Sequence, residues 1–263
     1  MDTSIPESVR PLLRDYTQRL LTELPDAIYG VYLYGSIALS GFEEDNSDID
    51  FVTLLHRRLT NAEIEILKNI HHALHNANPL AKRLDGMYLR LDDIGKTNPS
   101  LEPYPYCDNG AFKPSGHYDV NHVTWWVLKQ RGITVMGKSI EQLQIPTQWF
   151  DVGETMKYNV HEYWAPKGNS LLKFWLDGWV EFAVLTLCRI YYALIHEDII
   201  PKRKAVEQAL QELPSEWHLL LRESLRIRYH SNEPSLFPSR IKRAKETQRF
   251  IRHICKLSPS KTE

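Results

Sequence analysis

Cysteine is scarce in this chain: Cys107, Cys188 and Cys255 are the only three among 263 residues, far apart and without a CxxC pair. An odd, scattered set fits a reduced, cytoplasmic setting. There is no excess of either charge, with 32 Lys and Arg against 33 Asp and Glu and a net charge of −1. No basic balance points to nucleic acid, and no acidic bulk points to disorder. The opening MDTSIPESVRPLLRDY has neither an apolar core nor a basic leader and does not read as a signal peptide. No apolar run approaches a membrane span. Internal repeats are absent, and the one biased stretch is a short polar tail after Leu257. What remains, with 43% hydrophobic residues, has material for one large domain or two small ones.

Periodicity divides what is there. Val9, Leu12, Leu13, Tyr16, Leu20 and Leu24 recur at helical spacing and predict a helix over 7–24. Residues 28–34 and 49–56 read as buried strands. Thr60 and Glu63 form a capping-box signature ahead of a helix over 61–76. Asp85, Met87 and Leu89 then share one face of a third strand. Residues 93–118, rich in Pro, Gly, Asn and Asp, read as a long linker or binding loop. Beyond them nearly everything is helical in pattern, at about 121–131, 139–144, 152–164, 170–196, 203–212, 214–229 and 238–256. The expected class is α+β, with an N-terminal α/β domain over 1–110 and an all-helical C-terminal domain over 111–263.

The chemistry concentrates in LYGSIALSGFEEDNSDIDFVTLL. A strand ends at Gly35-Ser36, and a second strand opens with Asp48 and Asp50. Side chains two apart on a strand share a face, so these carboxylates point together while Ile49 and Phe51 point into a core. A divalent cation relieves their repulsion, and magnesium shares its shell with substrate phosphates. A Gly-Ser turn ahead of a helix offers N–H groups and a hydroxyl to phosphate. Each element alone is common; the ordered set describes a metal-dependent nucleotidyl-transfer site.

These residues make the first 92 positions resemble the nucleotidyltransferase superfamily that includes DNA polymerase beta. With VLTLCRIYYAL, PKRKA and ELPSEW in the second half, nearly the whole chain resembles the aminoglycoside 3''/9-adenylyltransferases that act on streptomycin and spectinomycin. The resemblance implies a polymerase beta-like domain with a mixed sheet and a helical bundle completing the ATP and acceptor site. It implies transfer of AMP from ATP to a hydroxyl with two Mg2+ ions. Asp48 and Asp50 would be metal ligands. Gly35, Ser36 and Ser47 would lie against the triphosphate, with Arg189, Lys202 (or equally Lys204) and Tyr229 from the second domain. Asp85 falls where the family has its glutamate base and would complete a three-carboxylate set. It is one methylene shorter, which puts the reach of the base in question. The family's acceptor segment between the domains is replaced by YPYCDNGAFKPSGHYD, and Asp177, Trp179 and Glu181 are approximate matches for acceptor contacts. Small-molecule substrates, a monomer, and neither membrane nor nucleic-acid partners are expected.

Other patterns have blander readings. His71 and His75 have the i,i+4 spacing of a metal pair but no third ligand, and read as a solvated helix face. Trp125 and Trp126 read as domain packing. The basic run Arg240, Lys242, Arg243, Lys245, Arg249, Arg252 and Lys256 reads as a solvated face. Two alternatives stay open: the same chemistry on another acceptor (a protein, a tRNA or another small molecule), and a nucleotide-binding module without turnover.

Overall fold

A computed structural model describes residues 2–258, so the polar tail beyond Ser258 lies outside the described residues. The chain separates into two compact units between Gln148 and Trp149. That is some forty residues later than the boundary near 110 that the loss of strand pattern suggested. The reason is the sheet, which draws three further strands from the stretch after 93.

In the first unit α1 (Arg10–Glu23) precedes β1 (Ile28–Leu33), the single turn α2 (Gly35–Ala38) and β2 (Ile49–Leu55). Then come α3 (Asn61–Ala77), β3 (Leu84–Arg90), β4 (Tyr104–Asp108), β5 (Ala111–Gly116), α4 (His122–Arg131) and β6 (Ile133–Met136). The six strands lie in the order β5-β4-β3-β2-β1-β6. Among the described residues only β2 and β3 pair in parallel, across the α3 crossover; every other pairing is antiparallel, so the sheet is mixed.

The helical periodicities supply the packing. Leu12, Leu13, Tyr16 and Leu20 on α1, with Leu67, Ile70 and Leu74 on α3, bury one face of the sheet through Val31, Leu33, Ile49, Phe51 and Tyr88. The Thr60–Glu63 capping box is formed, with the Thr60 hydroxyl accepting the Glu63 N–H and the Glu63 carboxylate accepting the Thr60 N–H at 2.8 Å. The same core contains a polar chain. The Tyr16 hydroxyl lies 2.7 Å from both Thr53 and Tyr88, and His71 bonds Tyr88 at 2.5 Å and meets Cys107 at 3.7 Å. His71 is therefore a core residue, not part of a solvated face; its neighbour one turn on, His75, is exposed.

Residues 93–118 are not a linker. Asp108 and Ala111 pair across a two-residue turn of Asn109 (φ 48°) and Gly110 (φ 73°), the turn that matches the twist of a hairpin. A Cβ on Gly110 would also meet the backbone of Lys82 at 2.6 Å. Pro114 sits in β5, the outermost strand, where a missing N–H is tolerated.

The second unit, among the described residues, is all helical. It comprises α5 (Trp149–Tyr158), a π-helical turn (Asn159–Trp164), α6 (Ala165–Lys167), α7 (Asp177–His196), α8 (Lys202–Glu212), α9 (His218–Tyr229) and α10 (Arg240–Leu257). Contrary to the sequence expectation, α7 is long and apolar enough to cross a membrane by length and composition. Here it is a core helix, with Val180, Ala183, Val184, Leu187 and Cys188 buried. Arg243 also departs from expectation: it is 2% exposed, and only its neighbours in the basic run are solvated. It belongs to a buried network on Glu223, whose carboxylate accepts from Arg226 (2.9 and 3.0 Å), Arg243 (3.0 Å), the Ser235 hydroxyl (2.7 Å) and the Leu236 N–H (2.9 Å).

Candidate functional site

Alternation along β2 holds as the sequence requires. Ile49 and Phe51 are fully buried against the helices, while Asp48 is exposed and Asp50 half-buried on the opposite side. The parallel register sets Asp50 beside Asp85 on β3. Neighbouring strands are about 4.8 Å apart, so these two carboxylates share a face of the sheet.

Gly35 makes room for this arrangement. Its φ of +60° is the left-handed region, and a Cβ built there would fall 1.9 Å from Oδ2 of Asp50. The chain turns at Gly35, and the next amide, that of Ser36, donates to Asp50 Oδ2 at 3.2 Å. The Ser36 hydroxyl donates to the Asp48 carbonyl at 3.3 Å. Both groups expected to meet phosphate thus hold the acidic strand to the turn here. Ser47 is buried and its hydroxyl accepts the Glu43 N–H at 3.0 Å, so it closes the loop ahead of β2. Arg83 fastens that loop by donating to the carbonyls of Glu44, Asp45 (2.8 Å) and Ser47 (3.4 Å), a role sequence reasoning did not find.

Asp85 is altered by its surroundings. Burial, with Asp48 and Asp108 nearby, raises its carboxyl to about 6, although hydrogen bonds from Tyr118 and Asn109 act against the rise. A carboxylate titrating there is placed for proton transfer near neutrality. The Tyr118 hydroxyl lies 2.8 and 2.7 Å from the two carboxylate oxygens, and the Asn109 N–H donates at 3.2 Å. Burial and the adjacent Asp85 push the Tyr118 phenol far up, so it stays a donor. Tyr34, itself buried, is raised by burial and by the charges of Asp50, Asp119 and Asp85. Tyr118 was missed because the stretch carrying it read as a loop. The Asn109-Gly110 pair was the available signal.

Among the described residues no set of three or more His, Cys, Asp or Glu side chains is disposed to hold a metal ion. Asp85, the third member of the expected carboxylate set, is engaged by Tyr118. Asp48 and Asp50 alone still suit magnesium, which is commonly held by one or two carboxylates, with phosphate oxygens and water completing its octahedron.

In the second unit Lys202 is the first residue of α8 and Tyr229 the last of α9. The guanidinium groups of Arg203 and Arg228 lie 5.4 and 5.9 Å from the Tyr229 ring centre, so the structure gathers cations at this aromatic ring. Arg189 is half-buried on α7. Asp177 and Glu181 lie one turn apart on α7, and both are paired: Asp177 with Arg243 at 2.5 Å, Glu181 with Arg228 at 2.7 Å. Trp179, between them in sequence, lies under the Lys173 ammonium at 5.1 Å and packs edge-on to Phe182.

Comparison with known proteins agrees with this architecture. Residues 171–256 match the model of the aminoglycoside adenylyltransferase C-terminal domain. The chain is 23% identical over 210 residues to a spectinomycin 9-adenylyltransferase of Campylobacter jejuni, spanning 76% of this chain and 78% of that protein. Its fold matches the crystal structure of a spectinomycin adenyltransferase from Enterococcus faecialis with ATP and spectinomycin. The TM-score is 0.67 at 17% identity, over 94% of this chain and 99% of the other.

Proposed function

We propose that this chain, a nucleotidyltransferase enzyme belonging to the aminoglycoside adenylyltransferase family, moves AMP from ATP to a hydroxyl of an aminoglycoside or aminocyclitol in the cytoplasm. The observation that carries the reading is the in-register pairing of Asp50 with Asp85 beside the Gly35 turn. Asp48 and Asp50 would hold magnesium, which when bound supplies positive charge against the triphosphate. Asp85 takes the proton of the incoming hydroxyl. The hydroxyl oxygen then forms a bond to the α-phosphorus while the bond to the β-phosphate bridging oxygen breaks, and pyrophosphate leaves with that electron pair. Gly35, Ser36 and Ser47 are assigned to the triphosphate side. Arg189, Lys202 and Tyr229 are the cationic and aromatic groups assigned to it from the helical unit, with Lys204 an alternative to Lys202.

Spectinomycin and streptomycin are the first acceptors to test, the former because it is what the named relatives act on. Asp177, Trp179 and Glu181 are assigned to the acceptor, with a cationic ligand exchanging for Arg228 or Arg243. One observation favours a second reading, the same chemistry on a different acceptor: both carboxylates are already neutralised by arginine. The test is pyrophosphate release from ATP and magnesium across a panel of aminoglycosides and aminocyclitols. Acceptor-dependent release is expected. Release that needs a protein or RNA instead would select the second reading.

A further inference from the structure

We infer that Tyr118 is a positioning residue for Asp85, and that the β4–β5 hairpin exists at this site to deliver it. The inference rests on the proposed reaction and adds a residue that no motif in the sequence assigns.

An aspartate on a strand has two rotatable bonds, and a base must present one oxygen toward a fixed direction. Tyr118 places its single O–H between both oxygens of Asp85, at 2.8 and 2.7 Å, and the Asn109 N–H at the hairpin turn fixes Oδ1 at 3.2 Å. Two donors from two directions hold the carboxylate plane as well as its location.

The tyrosine is itself held. Its ring stacks on Tyr106 of β4, with centres 5.1 Å apart and planes 11° from parallel. Its backbone N–H donates to the Tyr104 hydroxyl at 2.7 Å, and its carbonyl accepts from the Asn98 side chain. Tyr104 in turn donates to Asn98 at 2.7 Å. Ring and backbone of Tyr118 are thus fixed by separate groups, more restraint than a half-buried tyrosine at the end of a hairpin needs for packing alone. The donors compensate for the aspartate's short reach by removing its freedom to turn.

Tyr118→Phe keeps the ring and its stacking and removes only the hydroxyl. The measurements are kcat and KM by pyrophosphate release, ATP affinity by calorimetry, and Tm. Wild-type turnover, and its loss in Asp85→Asn, come first; if wild type shows no transfer, the proposed reaction fails, whatever Tyr118 does. Given turnover, Tyr118→Phe is expected to lower kcat about 10- to 100-fold, with KM for ATP and ATP affinity within about twofold and Tm lowered by only the few degrees that one hydrogen bond to a charged group contributes. Tyr106→Leu, which keeps the hydroxyl but frees the ring, is expected to lower kcat by a smaller factor. Wild-type kcat in Tyr118→Phe would overturn the inference. So would a fall in kcat that the loss of folded protein at the assay temperature accounts for, or a raised KM with kcat preserved.

Discussion

Replacing Gly35 by alanine tests the geometry of the acidic strand through stability. Two costs are separable. The first is backbone: an L-residue held at φ +60° costs about 1–2 kcal/mol. The second is local: the new Cβ would fall 1.9 Å from Asp50 Oδ2, so the carboxylate must leave. That breaks the bond from the Ser36 amide, and a hydrogen bond to a charged group contributes about 1.5–3 kcal/mol. Gly35→Ala should therefore cost about 2.5–5 kcal/mol in the wild-type background. In an Asp50→Gly background the whole side chain is gone, including the Cβ that would lie 2.8 Å from the new one, and the same substitution should cost only the backbone share, about 1–2 kcal/mol. The double-mutant cycle thus predicts a coupling of about 1.5–3 kcal/mol. Urea unfolding of the four proteins, followed by circular dichroism, measures it. Equal costs in both backgrounds would refute the placement of Asp50 against the turn.

Other consequences concern the two cores. Glu223→Gln leaves Arg226 and Arg243 buried without their carboxylate and should destabilise the protein by about 3–5 kcal/mol, read by urea midpoint. Burial would raise the Glu223 carboxyl, but its hydrogen bonds from Arg226, Ser235, Leu236 and Arg243 outweigh that and bring it to about 2. A depressed carboxyl contributes stability above its unfolded value and loses it as pH falls toward 2. His71 acts at higher pH. Burial lowers it from 6.5 to about 4, so the folded protein holds it neutral while the unfolded chain protonates. Its contribution is complete above pH 6.5 and falls by about 3 kcal/mol on acidification to pH 4. Urea midpoints across that range should flatten in His71→Phe relative to wild type.

The β2 alternation was legible because one period governs both the core and the site: Ile49 and Phe51 could not be buried without turning Asp48 and Asp50 the other way. The helices were legible for the same reason, down to the Thr60–Glu63 cap. What was illegible depended on contacts distant in sequence. His71 has the spacing of a surface pair, yet α3 brings it onto Tyr88 and Cys107. Arg243 sits in a basic run, yet Glu223, twenty residues earlier, makes its burial tolerable. Asp177 and Glu181 carry free charge in the sequence and paired charge in the fold. The hairpin was obscured by Pro114, which argues against a strand until one knows that β5 is an edge, and by Pro105, which sits where the β4–β5 register shifts.

On the proposed reaction, the acidic face at Asp48 and Asp50 transfers a nucleotide to a small-molecule alcohol. Mass spectrometry of spectinomycin after incubation with the protein, ATP and magnesium addresses it directly, with Asp50→Asn as the comparison. Spectinomycin carrying one AMP is expected with the wild-type protein, and unmodified antibiotic with the variant. Modification undiminished in Asp50→Asn would contradict it.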